Sequence, residues 1–399
     1  MAPLSQAERL PNLPSRTLLK DQNLLLVFAA TLVVTSSITA ITPAFPNIVR
    51  QLGVSAGAVS LIVTAYTLPA IVLTPILGVF ADRHGRKRVL VMSLIVFGMA
   101  GGACFFADNF NLLLALRFVQ GVGGAALLST NITIIGDLYE GVSRSKSMGY
   151  NATVNGFGTT LYPALGGALA LIGWNYPFLI SAAALPVGLL LIPFLKIPEP
   201  RNKQKLSHYL KGVQEVVKHR EVVALFILTV GDNIAVVGAL FTYLPLYLEN
   251  SYGASALLAG VAISIWAVSY SLGTTVIGKL TEKTSARLLI KVAFALSAIT
   301  MATLPLFGSA LWTLLPVALL GIAHALHLPN AQTLLTDAAP SGYRGALVSF
   351  QTMVKRVGET TGPLLMAGVY SAFGSAAVFF VAASVALLML AVAVWLLRA

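Results

Sequence analysis

Twelve times along this chain of 399 residues, about twenty residues pass with few or no charged side chains. A helix needs about 20 apolar residues to cross the ~30 Å hydrocarbon core of a bilayer. These stretches lie at about 24–45, 57–80, 89–107, 111–136, 147–172, 175–195, 222–247, 256–278, 288–308, 311–335, 345–371 and 375–397. Only 10% of all residues are charged and 57% are hydrophobic, whereas a soluble domain averages about a quarter charged. The chain is predicted to be an all-α membrane protein with twelve transmembrane helices.

The net charge of +12 suggests a polyanion partner until its distribution is considered. With the N-terminus in the cytoplasm, 22 of the 26 Lys and Arg fall on the cytoplasmic side and only Arg50 on the opposite side. This is the positive-inside bias; it predicts both termini in the cytoplasm and removes the need for a nucleic-acid partner. Residues 1–22 hold three prolines and three basic residues but no apolar run, so they read as a tail rather than a leader peptide. The single cysteine, Cys104, falls inside a span, which excludes an intrachain disulfide or a cysteine metal cluster.

The chain also repeats itself. Gly78 and Gly278, Asp137 and Asp337, Arg144 and Arg344, Gly158 and Gly358, and Pro163 and Pro363 all pair at an offset of 200. Such periodicity fixes architecture. It predicts two pseudo-symmetric six-helix bundles, residues 23–195 and 222–399, after a cytoplasmic tail at 1–22 and joined by a cytoplasmic linker at 196–221. The linker reads as a turn and a basic amphipathic helix, either a tether on anionic lipid head groups or a regulatory element. Repeated bundles of this kind suit a transporter that holds substrate between its halves.

The loop between spans 2 and 3 reads GVFADRHGRKRVL. Gly78, Asp82, Arg83, Gly85, Arg86 and Lys87 match every specified position of G-x-x-x-D-R-x-G-R-[KR], and the chain here resembles the major facilitator superfamily of secondary transporters. Physically, Gly78 is expected to permit a close helix contact and Gly85 a turn too tight for a Cβ. The resemblance implies that Asp82 sits near the start of span 11 and that Arg86 pairs with Asp137 at the end of span 4. Together they would form a gate that latches the halves on the cytoplasmic side.

Span 4 carries Arg117-Phe-Val-Gln120-Gly121-Val-Gly123-Gly124-Ala125, similar to the family's R-x-x-Q-G-x-G-x-A motif. An intramembrane arginine is a functional hypothesis by default, and the resemblance ties this one to proton coupling; the alternative is snorkelling to head groups. Span 5 carries Gly158, Pro163, Gly166 and Gly167, resembling a G-x-x-x-G-P-x-x-G-G motif of proton-coupled exporters, with Tyr162 in place of the second glycine. Span 11 restores that glycine in Gly358-Glu-Thr-Thr-Gly362-Pro363. Small residues of this kind allow tight helix packing, and Pro163 and Pro363 free a carbonyl and kink the helix.

The repeat doubles as an internal control. Lys355, Arg356 and Glu359 stand where the first half has Asn155, Gly156 and Thr159, and Asp232 stands opposite Leu32. Charges found in one half only are candidates for function. Asp232 is a candidate proton carrier, or else a permanent ion pair or helix glue shared with Asn233. Glu359 has Lys355 and Arg356 on its own helical face, so a static cluster and a coupling site both remain open. His324 and His327, one turn apart on span 10, suit substrate hydrogen bonding, proton relay or helix–helix bonding. A metal site is not expected, because no Asp, Glu or Cys lies beside them in the sequence. Asn131, Asn155, Trp266 and Tyr270 are further candidates to line a substrate cavity.

The expected function is export of small amphiphilic molecules, drugs or metabolites, across a bacterial-type cytoplasmic membrane by proton antiport and alternating access. The family's twelve-span drug/proton antiporters are the nearest resemblance. Coupled uptake and lipid or glycolipid flipping are the alternatives on the same fold. The proton gradient is the energy source, no cofactor is expected, and substrate, protons and membrane lipids are the expected partners of a monomer. No nucleophile–base constellation points to an enzyme.

Overall fold

The computed structural model describes residues 18–197, 219–281, 284–338 and 344–397. Twelve helical spans are present among them: Gln22–Leu52, Ser60–His84, Arg86–Phe106, Phe110–Leu138, Gly141–Ile172, Tyr176–Phe194, Arg220–Tyr252, Ala256–Thr281, Ala286–Leu306, Leu314–Ala338, Arg344–Phe373 and Ser375–Leu396. Ten are apolar enough to qualify as membrane spans by composition. The other two, spans 5 and 11, are the long polar helices of 32 and 30 residues that occupy the same place in each repeat. Span 5 begins at Gly141, six residues before the apolar run predicts. The linker helix expected within 196–221 falls almost entirely outside the described residues.

Local chemistry sets several ends. Asp21 caps span 1 by accepting from the Asn23 N–H at 2.8 Å, and Asn109 caps span 4 by accepting from Leu112 at 2.8 Å, which satisfies donors that have no intrahelical partner. Gly53 and Gly253, 200 residues apart, both take a left-handed φ (62° and 64°) just past the ends of spans 1 and 7. Spans 1 and 7 differ inside: span 1 is broken by a 3-10 turn at Thr42–Ala44, whereas span 7 is wound as a π-helix over Ile234–Tyr243.

The first six spans pack on one another and so do the last six, with the halves meeting where span 2 lies on span 11 and span 5 on span 8. Twelve crossings bring residues 18 and 397 to one face, termed the terminal face below; the other is the far face. The approaches between halves are close enough to need glycine. A Cβ on Gly260 would come 2.2 Å from the Pro163 carbonyl oxygen, and one on Gly167 2.5 Å from that of Ala256. Both contacts lie toward the far face, as does Gly57, whose Cβ would meet Ser371. The halves are closed against each other on that side.

Candidate functional site

Asp232 lies in span 7 just before its π-helical segment and is 6% exposed. Span 11 holds that stretch from behind. A Cβ on Gly358 would strike the Val230 carbonyl oxygen at 2.7 Å, one on Gly362 the Ile234 Cα at 2.8 Å, and one on Gly238 the Gly362 backbone at 2.8 Å. The glycines of the span 11 motif are therefore what lets this helix approach Asp232.

In front of Asp232 stands span 10. His324 Nδ1 lies 3.3 Å from Asp232 Oδ1 and 3.0 Å from Oδ2, and His327 Nδ1 lies 3.5 Å from Oδ1. His327 is 1% exposed, packs its ring 4.8 Å from that of Phe294, and has no hydrogen-bond partner for either nitrogen among the described residues. Trp266 and Tyr270, stacked nearly parallel at 5.7 Å, tilt onto His324 at 5.2 and 5.1 Å. No Asp, Glu or Cys lies beside the histidines in sequence, but the fold brings an acid to them. The acid comes from span 7, 92 residues away, and no local window of sequence contains it. One ligand atom from each of Asp232, His324 and His327 lies within 4.8 Å of the others, so three donors that a metal ion would accept do meet here.

The second group of charges closes on itself. Arg356 Nη1 donates to Glu359 Oε2 at 2.6 Å and Lys355 Nζ lies 3.6 Å from Oε1. Arg356 and Glu359 are sheltered, whereas the Lys355 side chain is 46% exposed. Next to them Thr360 bonds Thr67 of span 2 at 2.8 Å, and Thr64 donates to the Thr360 carbonyl at 3.2 Å, which ties the two halves together.

In the first half, Arg117 is 1% exposed and does not reach toward head groups. Its Nε donates to the Ile62 carbonyl at 3.2 Å, its Nη1 to Gln120 Oε1 at 2.6 Å, and its guanidinium lies 4.5 Å from the centre of the Tyr66 ring. Snorkelling is thereby excluded for this state. Neutral polar groups fill the counterpart of the Asp232 region: Thr31 donates to Asn151 at 2.7 Å, Asn131 to Thr31 at 3.0 Å, and Thr35 to Asn155 at 2.8 Å. Asn131 and Asn155 are the residues of this wall that the sequence singles out, whereas Thr31, Thr35 and Ile62 carry no sequence signal.

At the terminal face Arg86 is ion-paired with Asp137, and its Nη2 is 3.0 Å from Asp82 Oδ1. These three residues all belong to the first half. Gly85 has the left-handed φ of 99° that its turn requires. A Cβ on Gly78 would meet nothing within 4 Å among the described residues, whose close approaches between the halves lie from the midplane toward the far face. Arg83 is exposed and Lys87 half-buried. Pro163 sits inside span 5, and a Cβ on Gly166 would fall 1.8 Å from the Ala40 carbonyl oxygen, the tightest approach in the first half.

Comparison with known proteins agrees with this architecture. The profile of the Major Facilitator Superfamily matches residues 27–358 and 251–399. The bacillibactin exporter of Bacillus subtilis (strain 168) is 28% identical over 363 residues, 88% of this chain and 90% of that protein. The multidrug resistance protein MdtG of Salmonella choleraesuis (strain SC-B67) is 28% identical over 382 residues, 92% and 93% of the two chains. Among solved structures, a D323A mutant of the nucleoside transporter NupG superposes with a TM-score of 0.80 at 12% identity, covering 95% of this chain and 100% of the other. A D-xylose–proton symporter gives 0.77 at 15% identity, covering 94% and 97%.

Proposed function

The chain belongs to the major facilitator superfamily, and on that premise we propose that it exports small amphiphilic molecules in exchange for protons. It is a multi-pass membrane transporter and not an enzyme. Similarity to two exporters over about nine-tenths of the chain supports the direction. The cytoplasmic membrane is the proposed location, with the terminal face inside.

The observation that carries proton coupling is the choice of partners around the two buried acids. Glu359 is paired with Arg356, whose charge is permanent at any physiological pH. Asp232 is paired only with histidines among the described residues, side chains that are neutral or cationic according to whether they hold one more proton. A carboxylate and two imidazoles this close exchange protons as one unit. Opening toward the far face would expose that unit to the proton source, and return to the present far-closed state would carry the proton across. Substrate leaving through the far face and protons entering by the same alternation give antiport.

Purified protein in proteoliposomes with an imposed pH gradient tests this, with bacillibactin and a lipophilic cationic dye as probes. Antiport loads probe into vesicles that are acidic inside. Loading only when the bath is acidic would replace the reading with coupled uptake. Lipid movement indifferent to the gradient would replace it with flipping.

A further inference from the structure

Arg50 is the one basic residue that the topology leaves on the far face, against a bias that sends 22 of 26 to the other side. The structure gives it a partner in the other half: Arg50 at the end of span 1 is ion-paired with Glu249 at the end of span 7. We propose that Arg50 and Glu249 form a far-face latch that stabilises the state described here, opening once in every transport cycle.

Arg50 and the residue next to Glu249 are each braced within their own half. The Arg50 Nη2 donates to Asn47 Oδ1 at 2.5 Å, and Asn47 donates to the Ala170 carbonyl of span 5 at 2.8 Å. On the other side, Asn250, which occupies the repeat position of Arg50, donates to the Tyr370 hydroxyl of span 11 at 2.9 Å. Tyr370 in turn stacks on Tyr243 of span 7 at 5.3 Å. The ion pair thus joins two pre-set assemblies at the edge of the glycine contacts at Gly167 and Gly260. Among the described residues, the terminal-face cluster of Arg86, Asp82 and Asp137 draws all its partners from the first half. Among the described residues the far-face pair bridges the halves, as a gate between them must.

The latch has to be weak to be useful. The Arg50 side chain is 60% exposed, and an exposed pair shifts an equilibrium only about two- to five-fold. That suffices to bias two states without trapping either.

The proposal rests on alternating access, but its test does not need transport. Thr64 lies buried where span 2 meets span 11, and a T64C change places a thiol there; native Cys104 is fully buried and serves as the unlabelled background. Maleimide labelling of T64C protein is measured in nanodiscs, where both faces are wet. R50A and E249A should each raise the labelling rate about two- to five-fold, and the swap R50E with E249R should return it to the parent value. Unchanged rates in both single variants would overturn the latch, as would a rise that the swap fails to reverse. If no probe moves in proteoliposomes while labelling responds as described, the export reading fails and the latch stands.

Discussion

Asp232 on span 7 and His324 on span 10 stand 92 residues apart in the chain and 3.0 Å apart in space, carboxylate to imidazole. Neither has a Lys or Arg ion-pair partner among the described residues. A charge held in a bilayer interior is costly, so a pair that can neutralise itself by moving one proton suits an antiporter whose return leg carries a proton and no substrate.

Asp232→Asn keeps the shape and removes the proton site. Counterflow of labelled against unlabelled probe should persist at near the parent rate, while accumulation driven by a pH gradient should vanish. Gradient-driven accumulation that survives in this variant would take Asp232 out of the coupling mechanism.

His324→Gln retains a donor for the carboxylate but does not titrate. Replacing the imidazole by this neutral amide should weaken the hydrogen bond by about 1 kcal/mol and slow coupled flux about fivefold. EDTA should leave wild-type flux unchanged. If EDTA abolishes flux and Zn²⁺ restores it, the three donors Asp232, His324 and His327 hold a metal instead.

Lys355 and Arg356, adjacent in sequence, should behave differently. Arg356→Gly leaves Glu359 buried without its close partner, and breaking a buried pair on one side costs about 3–5 kcal/mol. Thermal unfolding in detergent should drop sharply for this variant. Lys355→Asn removes a half-exposed amine and should leave the melting temperature within a degree or two while changing which probes are carried. Equal melting losses for the two would show that Lys355 is structural as well.

Two glycines separate packing within a half from packing between halves. Gly166→Ala forces a methyl against the Ala40 carbonyl inside the first half and should destabilise by about 1–3 kcal/mol. Gly260→Ala pushes on Pro163 across the interface, where the halves can separate as rigid bodies. It should leave the melting temperature nearly unchanged and raise labelling of T64C protein. A large melting loss for Gly260→Ala would mean that the halves cannot part at this contact.

Much of this molecule was legible in the chain itself. The lengths of its apolar runs determined a helical membrane protein with twelve crossings, because the bilayer imposes a minimum span. The offset of 200 determined two matched bundles, and Gly53 and Gly253 carry it down to a shared left-handed turn. The loop motif from Gly78 to Lys87 pointed to the family. Which side chains meet was decided only by tertiary structure. Asp232 finds His324, Arg50 finds Glu249 and Arg117 finds the Ile62 carbonyl through the rotation and depth of packed helices. Those depend on glycine contacts such as Gly358 on Val230 and on the π-helical winding of span 7. Hydropathy tells how far a helix runs through the bilayer, but it does not tell which neighbour each face will touch.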